Sequence, residues 1–166
     1  MQSSKLIGVL FLGMSLGGST AFAGDLANKA GLNIKLNCPA GSSQFGNPDD
    51  GLYCRKSVST DGYSVPHGPY TAYHPGGKKS VEGQYVEGFR SGTWVYYDKS
   101  GNVTEKIQFG RENYNGRREQ YFTNGKLRLV EEYVGGKRQG LTQEFSEDGK
   151  VIRQVRYHND QEVAAK

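Results

Sequence analysis

The sequence has little of what builds chemistry. It holds three histidines, His67, His74 and His158, and none recurs at an equivalent place with an acidic partner, as a repeated metal site requires. Its two cysteines, Cys38 and Cys54, are not in a CxxC spacing and have no histidine nearby, which argues against a metal or redox pair. No serine stands in a GxSxG elbow, and no glycine-rich phosphate loop of the GxGxxG or GxxxxGK type occurs. Carboxylates such as Asp98, Glu105, Glu131 and Glu132 fall on expected strand positions, where solvated charge is the ordinary reading. These absences argue against an enzyme, and neither a cofactor nor a metal is expected. Positive charge of one face is lacking as well. The formal net charge is +4, and the densest basic clusters, Arg117-Arg118 and Lys137-Arg138, lie beside Glu119, Glu131 and Glu132. Nucleic-acid binding therefore has no electrostatic footprint here. Large apolar residues are sparse while tyrosine is plentiful at 11, with a single tryptophan, which suits a thin sheet better than a thick domain.

One apolar run stands out, at residues 6–16, after Lys5 and before Ala21-Phe22-Ala23. This is the pattern of an export signal, with small residues at the two positions a signal peptidase reads and a cut expected before Gly24. The run is too short to span about 30 Å of hydrocarbon. A lipoprotein anchor needs a cysteine directly after it, whereas Cys38 follows Asp25, Lys29 and Lys35. No other segment is apolar enough to cross a membrane. The expected location is periplasmic or extracellular, as a soluble protein. In an oxidising compartment Cys38 and Cys54 are expected to pair, and closing that loop adds roughly 3 kcal/mol in the chain-entropy model.

What the chain has in abundance is repetition. Glycine stands at Gly68, Gly92, Gly116 and Gly140, a spacing of 24 residues without slippage, and again at Gly77, Gly101, Gly125 and Gly149. Tyr73, Tyr97, Tyr121 and Phe145 precede the second set by four residues, and Tyr85, Phe109, Tyr133 and Tyr157 follow it by eight. A fixed period of this length signals a repeat array. Each unit reads as strand, tight turn, strand, looser turn. The first strands are expected at 68–74, 92–98, 116–122 and 140–146, and the second at 79–85, 103–109, 127–133 and 151–157. The expected fold is all-β: four hairpin units (67–90, 91–114, 115–138, 139–160) in one elongated antiparallel meander. Residues 24–63 form a disulfide-linked N-terminal cap, since end units of an array must differ, and 161–166 form a tail. Residues 38–54 have the composition of turns, and 52–58 read as a strand.

Loop length sets which side chains share a face. A two-residue loop at Gly76-Gly77 puts Tyr73 and Tyr85 on opposite faces; a three-residue loop, Pro75-Gly76-Gly77, puts Tyr73, Val81 and Tyr85 on one. The three-residue loop, a type I turn with a G1 bulge, also explains why only its third position is always glycine. On that register both aromatic columns form ladders on one face.

Glu82-Gly83-Gln84-Tyr85, then Gly88, then Gly92 with Trp94, resembles a MORN repeat of the bacterial variant type. The variant adds the hairpin pattern seen at Tyr96-Tyr97-Asp98-Lys99-Ser100-Gly101. The resemblance covers roughly 64–160, and Arg118 and Thr142 replace the tryptophan in the third and fourth units. It implies a sheet of β-hairpin repeats. Some members of the family are labelled antitoxin components, and related repeats are linked to membrane or protein scaffolding.

On the expected register Tyr70, Trp94 and Tyr96 point away from the ladders, with Arg118 next in the Tyr70–Trp94 column. Such a cluster is a recognition patch for protein or glycan if exposed; alternatively the rings cover the N-terminal cap, or both faces are partly buried. The turns near Gly88, Gly110 and Gly135-Gly136 offer another contact edge. The sequence thus points to an exported, non-catalytic binding or scaffolding module of the cell envelope with a protein partner. The alternatives are a binder of lipid headgroups or cell-wall glycan, or a toxin-neutralising partner. The open edge at 151–157 also offers edge-to-edge pairing with a second copy.

Overall fold

A computed structural model describes residues 33–57, 62–111 and 113–164. The expected export signal lies outside these residues. Strands β1 (Ser42–Asn47) and β2 (Gly51–Ser57) form an N-terminal hairpin. The four repeat hairpins follow: β3 (Ser64–Tyr73) with β4 (Lys79–Val86), β5 (Phe89–Tyr97) with β6 (Val103–Phe109), β7 (Tyr114–Tyr121) with β8 (Leu127–Val134), and β10 (Gly140–Phe145) with β11 (Val151–His158). Two short strands, β9 (Lys137–Arg138) and β12 (Gln161–Val163), complete the set. All belong to one sheet in chain order, with β9 pairing β8 off the main path. The all-β meander is the expected fold, and Cys38 and Cys54 are joined, with Cα atoms 5.5 Å apart.

The cap is more regular than its composition suggested. Its turn-rich stretch contains β1, and β2 pairs directly with β3, so the cap is the first hairpin of the same sheet. Asn47 supports the turn by accepting the N–H groups of Asp49 and Asp50 at 3.0 and 2.9 Å.

The tight turns repeat in detail. Gly77, Gly101, Gly125 and Gly149 donate their N–H groups to the carbonyls of His74, Asp98, Phe122 and Ser146 at 2.8–3.0 Å. His74, Asp98, Phe122 and Ser146 in turn donate to the carbonyls of Lys78, Asn102, Lys126 and Lys150. Each loop is therefore three residues long, closed by a glycine in the left-handed region (φ 80° to 94°).

A second irregularity overturns the expected faces. Ala72 pairs with Val81 but Tyr73 pairs with Lys79, so Ser80 is left over. The same slip recurs at Tyr96/Tyr97, Gln120/Tyr121 and Glu144/Phe145, leaving Thr104, Arg128 and Ile152. One extra residue reverses which side chains share a face. Tyr73, Tyr97, Tyr121 and Phe145 consequently lie on one face, and Tyr85, Phe109, Tyr133 and Tyr157 on the other. The single-face ladder of both columns does not form.

The turns between hairpins are tighter than expected. Glu87-Gly88, Gly135-Gly136 and Asn159-Asp160 all have positive φ at both positions (51° and 89°, 58° and 84°, 50° and 67°) and join directly paired residues. This is the two-residue type I′ geometry that matches strand twist. β5 therefore begins at Phe89, earlier than 92, while β3 begins at Ser64, earlier than 68, through its pairing with β2. Part of the expected tail is also structured, since β12 pairs Arg156, Tyr157 and His158.

Candidate binding surface

Cross-strand pairing assigns Tyr70, Ala72, Tyr85, Trp94, Tyr96, Ile107, Phe109, Arg118, Tyr133 and Glu131 to one face. Trp94 is its centre and is only 1% exposed. It packs where Gly83 leaves room, since a Cβ there would meet the indole at 2.3 Å. Its Nε1–H donates to the Gln84 carbonyl at 3.3 Å. Tyr70 stacks on it at 5.2 Å between centroids, with Tyr85 edge-on at 5.1 Å and Phe109 at 6.1 Å. The contacts continue from Phe109 to Tyr114 (5.0 Å) and from Tyr114 to Tyr133 (5.3 Å). The Arg90 guanidinium covers the Trp94 ring at 4.5 Å and donates to the Tyr96 hydroxyl at 3.2 Å.

This corrects the expected recognition patch. Tyr70, Trp94, Tyr96 and Arg118 do share a face, but it is the face of the Tyr85–Phe109–Tyr133 column, not the opposite one, and Trp94 is core. Arg118 is held between Glu105 (Nη2 to Oε1, 2.6 Å) and Glu131 (Nη1 to Oε2, 2.8 Å). Burial works against its charge, but the two carboxylates outweigh it and raise its pKa.

The opposite face carries a groove that sequence reasoning missed. Residues 34–36 line it from the N-terminal side, with Ile34 and Leu36 half-buried and Asn33, Lys35 and Asn37 exposed. The Gln44 amide clasps this arm, donating to the Ile34 carbonyl at 2.8 Å and accepting the Leu36 N–H at 2.7 Å. The groove is shallow, about 530 Å³, and is lined by Leu36, Thr71, Tyr73, Glu82, Gln84 and Val95 among others. Ser91 lines both this groove and a second hollow of about 480 Å³ bounded by Val86, Phe89 and Arg111. Val86 and Phe89 are 40% and 36% exposed, and the Arg111 guanidinium lies over the Phe89 ring at 5.8 Å. The sequence signal that could have found this margin is the apolar pair flanking a Glu-Gly turn, Val86 and Phe89.

A glutamate–tyrosine pair anchors Glu82, which lines the groove, and a similar pair recurs one unit on. Glu82 accepts from Lys79 and from the Tyr97 hydroxyl. Burial raises the Glu82 pKa, but these bonds outweigh it and hold the carboxyl below its usual range. The Tyr97 hydroxyl is pushed up to about 12, first by burial and then by its bond to Glu82. One unit on, Tyr121 donates to Glu119 and is likewise raised to about 12 by burial and that bond. Among the described residues, no group of three or more His, Cys, Asp or Glu side chains is placed to hold a metal ion.

The family profile described as MORN repeat variant matches residues 66–87, 90–109, 114–134 and 138–159. The chain belongs to the MORN repeat variant family. The gaps between matched MORN units contain the turn residue Gly88, the 110–113 connection and Gly135-Gly136, so each unit is one hairpin. No curated protein and no solved structure matches the chain. Among the described residues no helix is long and apolar enough to cross a membrane.

Proposed function

We propose that the chain is an exported, non-catalytic binding module of the cell envelope that takes a protein partner on the groove face. MORN repeats are generally protein- or lipid-binding modules. The observation that carries the protein reading is the Val86–Phe89–Arg111 margin. Exposed apolar and aromatic side chains beside an arginine, contiguous with a polar groove, have the composition of a protein interface. The Cys38–Cys54 bond supports export, because such bonds persist in oxidising compartments. Tyr70, Trp94, Tyr96 and Arg118 serve this reading as the packed support of the opposite face.

The test is affinity capture from the exporting cell's envelope with the chain from Gly24 onward, beside a Val86→Ser/Phe89→Ser variant. Both side chains are exposed, so the variant keeps the fold. Capture of one protein by the parent and its loss with the variant supports the reading. Retention of anionic lipid alone, fading as salt is raised, overturns it in favour of lipid headgroups.

A further inference from the structure

Beside the groove, on the same face, lies a polar hollow of about 350 Å³ lined by Thr93, Lys106, Gln108, Arg117 and Glu119. It sits over the interior strands β5, β6 and β7, and Thr93 lines both it and the groove. Its acceptors are already used. Glu119 takes Arg117 Nε on one oxygen at 3.1 Å and the Tyr121 hydroxyl on the other. Gln108 Oε1 accepts the Arg117 backbone N–H at 3.0 Å. Its donors are not. Lys106 pairs with Glu119 across the strands, yet its ammonium lies over the Tyr121 ring at 5.4 Å, and among the described residues no carboxylate holds it. The Gln108 amide N–H groups and the Thr93 hydroxyl likewise have no partner among the described residues. Arg117 stays 47% exposed although bonded to Glu119.

Open donors around a site whose acceptors are filled call for an oxyanion. Lys106 is half-buried and has given up part of its hydration without a counter-charge, which a bound anion would supply. Charge selects which oxyanion. Two cations stand against one carboxylate, leaving a single positive charge. One carboxylate balances it, whereas a phosphate monoester carries about −1.5 to −2 near neutral pH and would overshoot. We propose that this hollow receives a glutamate or aspartate carboxylate of the protein partner, with Lys106 as the principal charge and Gln108 and Thr93 orienting the group. The proposal rests on the protein-binding reading of the groove face. It adds a polar anchor to the apolar one at Val86 and Phe89, since a chain seated in the groove meets the hollow at Thr93.

The probe is a blocked peptide alternating serine and glutamate. Its controls are the serine–glutamine counterpart and inorganic phosphate. Binding to the full chain is followed by amide NMR shifts. Expected are saturable shifts centred on Thr93, Lys106, Gln108 and Arg117, absent with the glutamine peptide. Lys106→Met keeps the side-chain length and is expected to weaken binding about tenfold, Lys106→Arg to retain it, and circular dichroism checks that both remain folded. Lys137→Gln, which removes an exposed cation elsewhere, leaves binding unchanged; an equal loss there would reduce the effect to net charge and overturn the proposal. So would absence of shifts at the hollow, or tighter binding of phosphate than of the glutamate peptide. Val86→Ser/Phe89→Ser keeps the peptide bound, so failure of this site and failure of the apolar margin are read separately.

Discussion

At one repeat position on the tryptophan face, Tyr70, Trp94, Arg118 and Thr142 occur in succession, and each is answered by a different partner. Tyr70 faces Gly83, Trp94 faces Ile107, Arg118 faces Glu131 and Thr142 faces Val155. Large rings are given space, the cation is given a carboxylate, and the small polar residue is given a branched apolar one. Because the Glu131 side chain is 8% exposed, Arg118→Ala removes its ion-pair partner and leaves it the Tyr133 hydroxyl at 3.3 Å. That change is expected to cost about 3 to 5 kcal/mol in urea denaturation, and Arg118→Met/Glu131→Leu to recover most of the loss. Equal losses in single and double variants would sink the pairing argument. A pH effect follows from Tyr97 and Tyr121. Their folded pKa, about 12, lies above the ordinary 10, so the fold favours the neutral hydroxyl. Their contribution is complete below pH 10 and is lost as pH rises from 10 through 12. Denaturation curves over that window should weaken in the parent and weaken less in Tyr97→Phe/Tyr121→Phe. An unchanged slope in the variant would count against it.

At the scale of the hairpin, two irregularities act together and only one is written in residue types. The closing glycine of the tight turn is legible because no side chain tolerates its backbone cheaply. Nothing within 4 Å would crowd a Cβ at Gly125, so Gly125→Ala isolates the left-handed backbone term. It should cost about 1 to 2 kcal/mol in thermal or urea denaturation. Gly46→Ala should cost more, since at a similar φ of 86° its Cβ would also meet the Gly51 carbonyl oxygen, a backbone atom, at 2.0 Å; equal costs would contradict the packing argument. The second slip left no such mark. Ser80, Thr104, Arg128 and Ile152 share neither size nor polarity, because the extra residue needs no special φ. Of the turns between hairpins, those at Gly88 and Gly135-Gly136 were legible from glycine, whereas Asn159-Asp160 takes the left-handed region without one.

For the molecule as a whole, a single-layer sheet depends on its ends. At one end Cys54 is fully buried against Gly68, whose Cβ would meet Pro39 at 2.6 Å and Cys54 at 3.3 Å. The Cys38–Cys54 bond ties the chain before β1 to the second strand of the cap. Replacing both cysteines by serine should lower stability by about 3 kcal/mol, read as a lower urea midpoint that reductant does not lower further. A parent midpoint insensitive to reductant would refute this. The 24-residue period, the hairpin units, the three-residue turns, the cysteine pairing and the family were all readable from residue types, since each rests on local spacing or on a residue with special backbone or covalent chemistry. Which face each aromatic column occupies and where the groove lies were decided only by tertiary structure. A one-residue slip in pairing exchanges the two faces of a strand, and pairing across strands is settled by the assembled sheet rather than by any one hairpin.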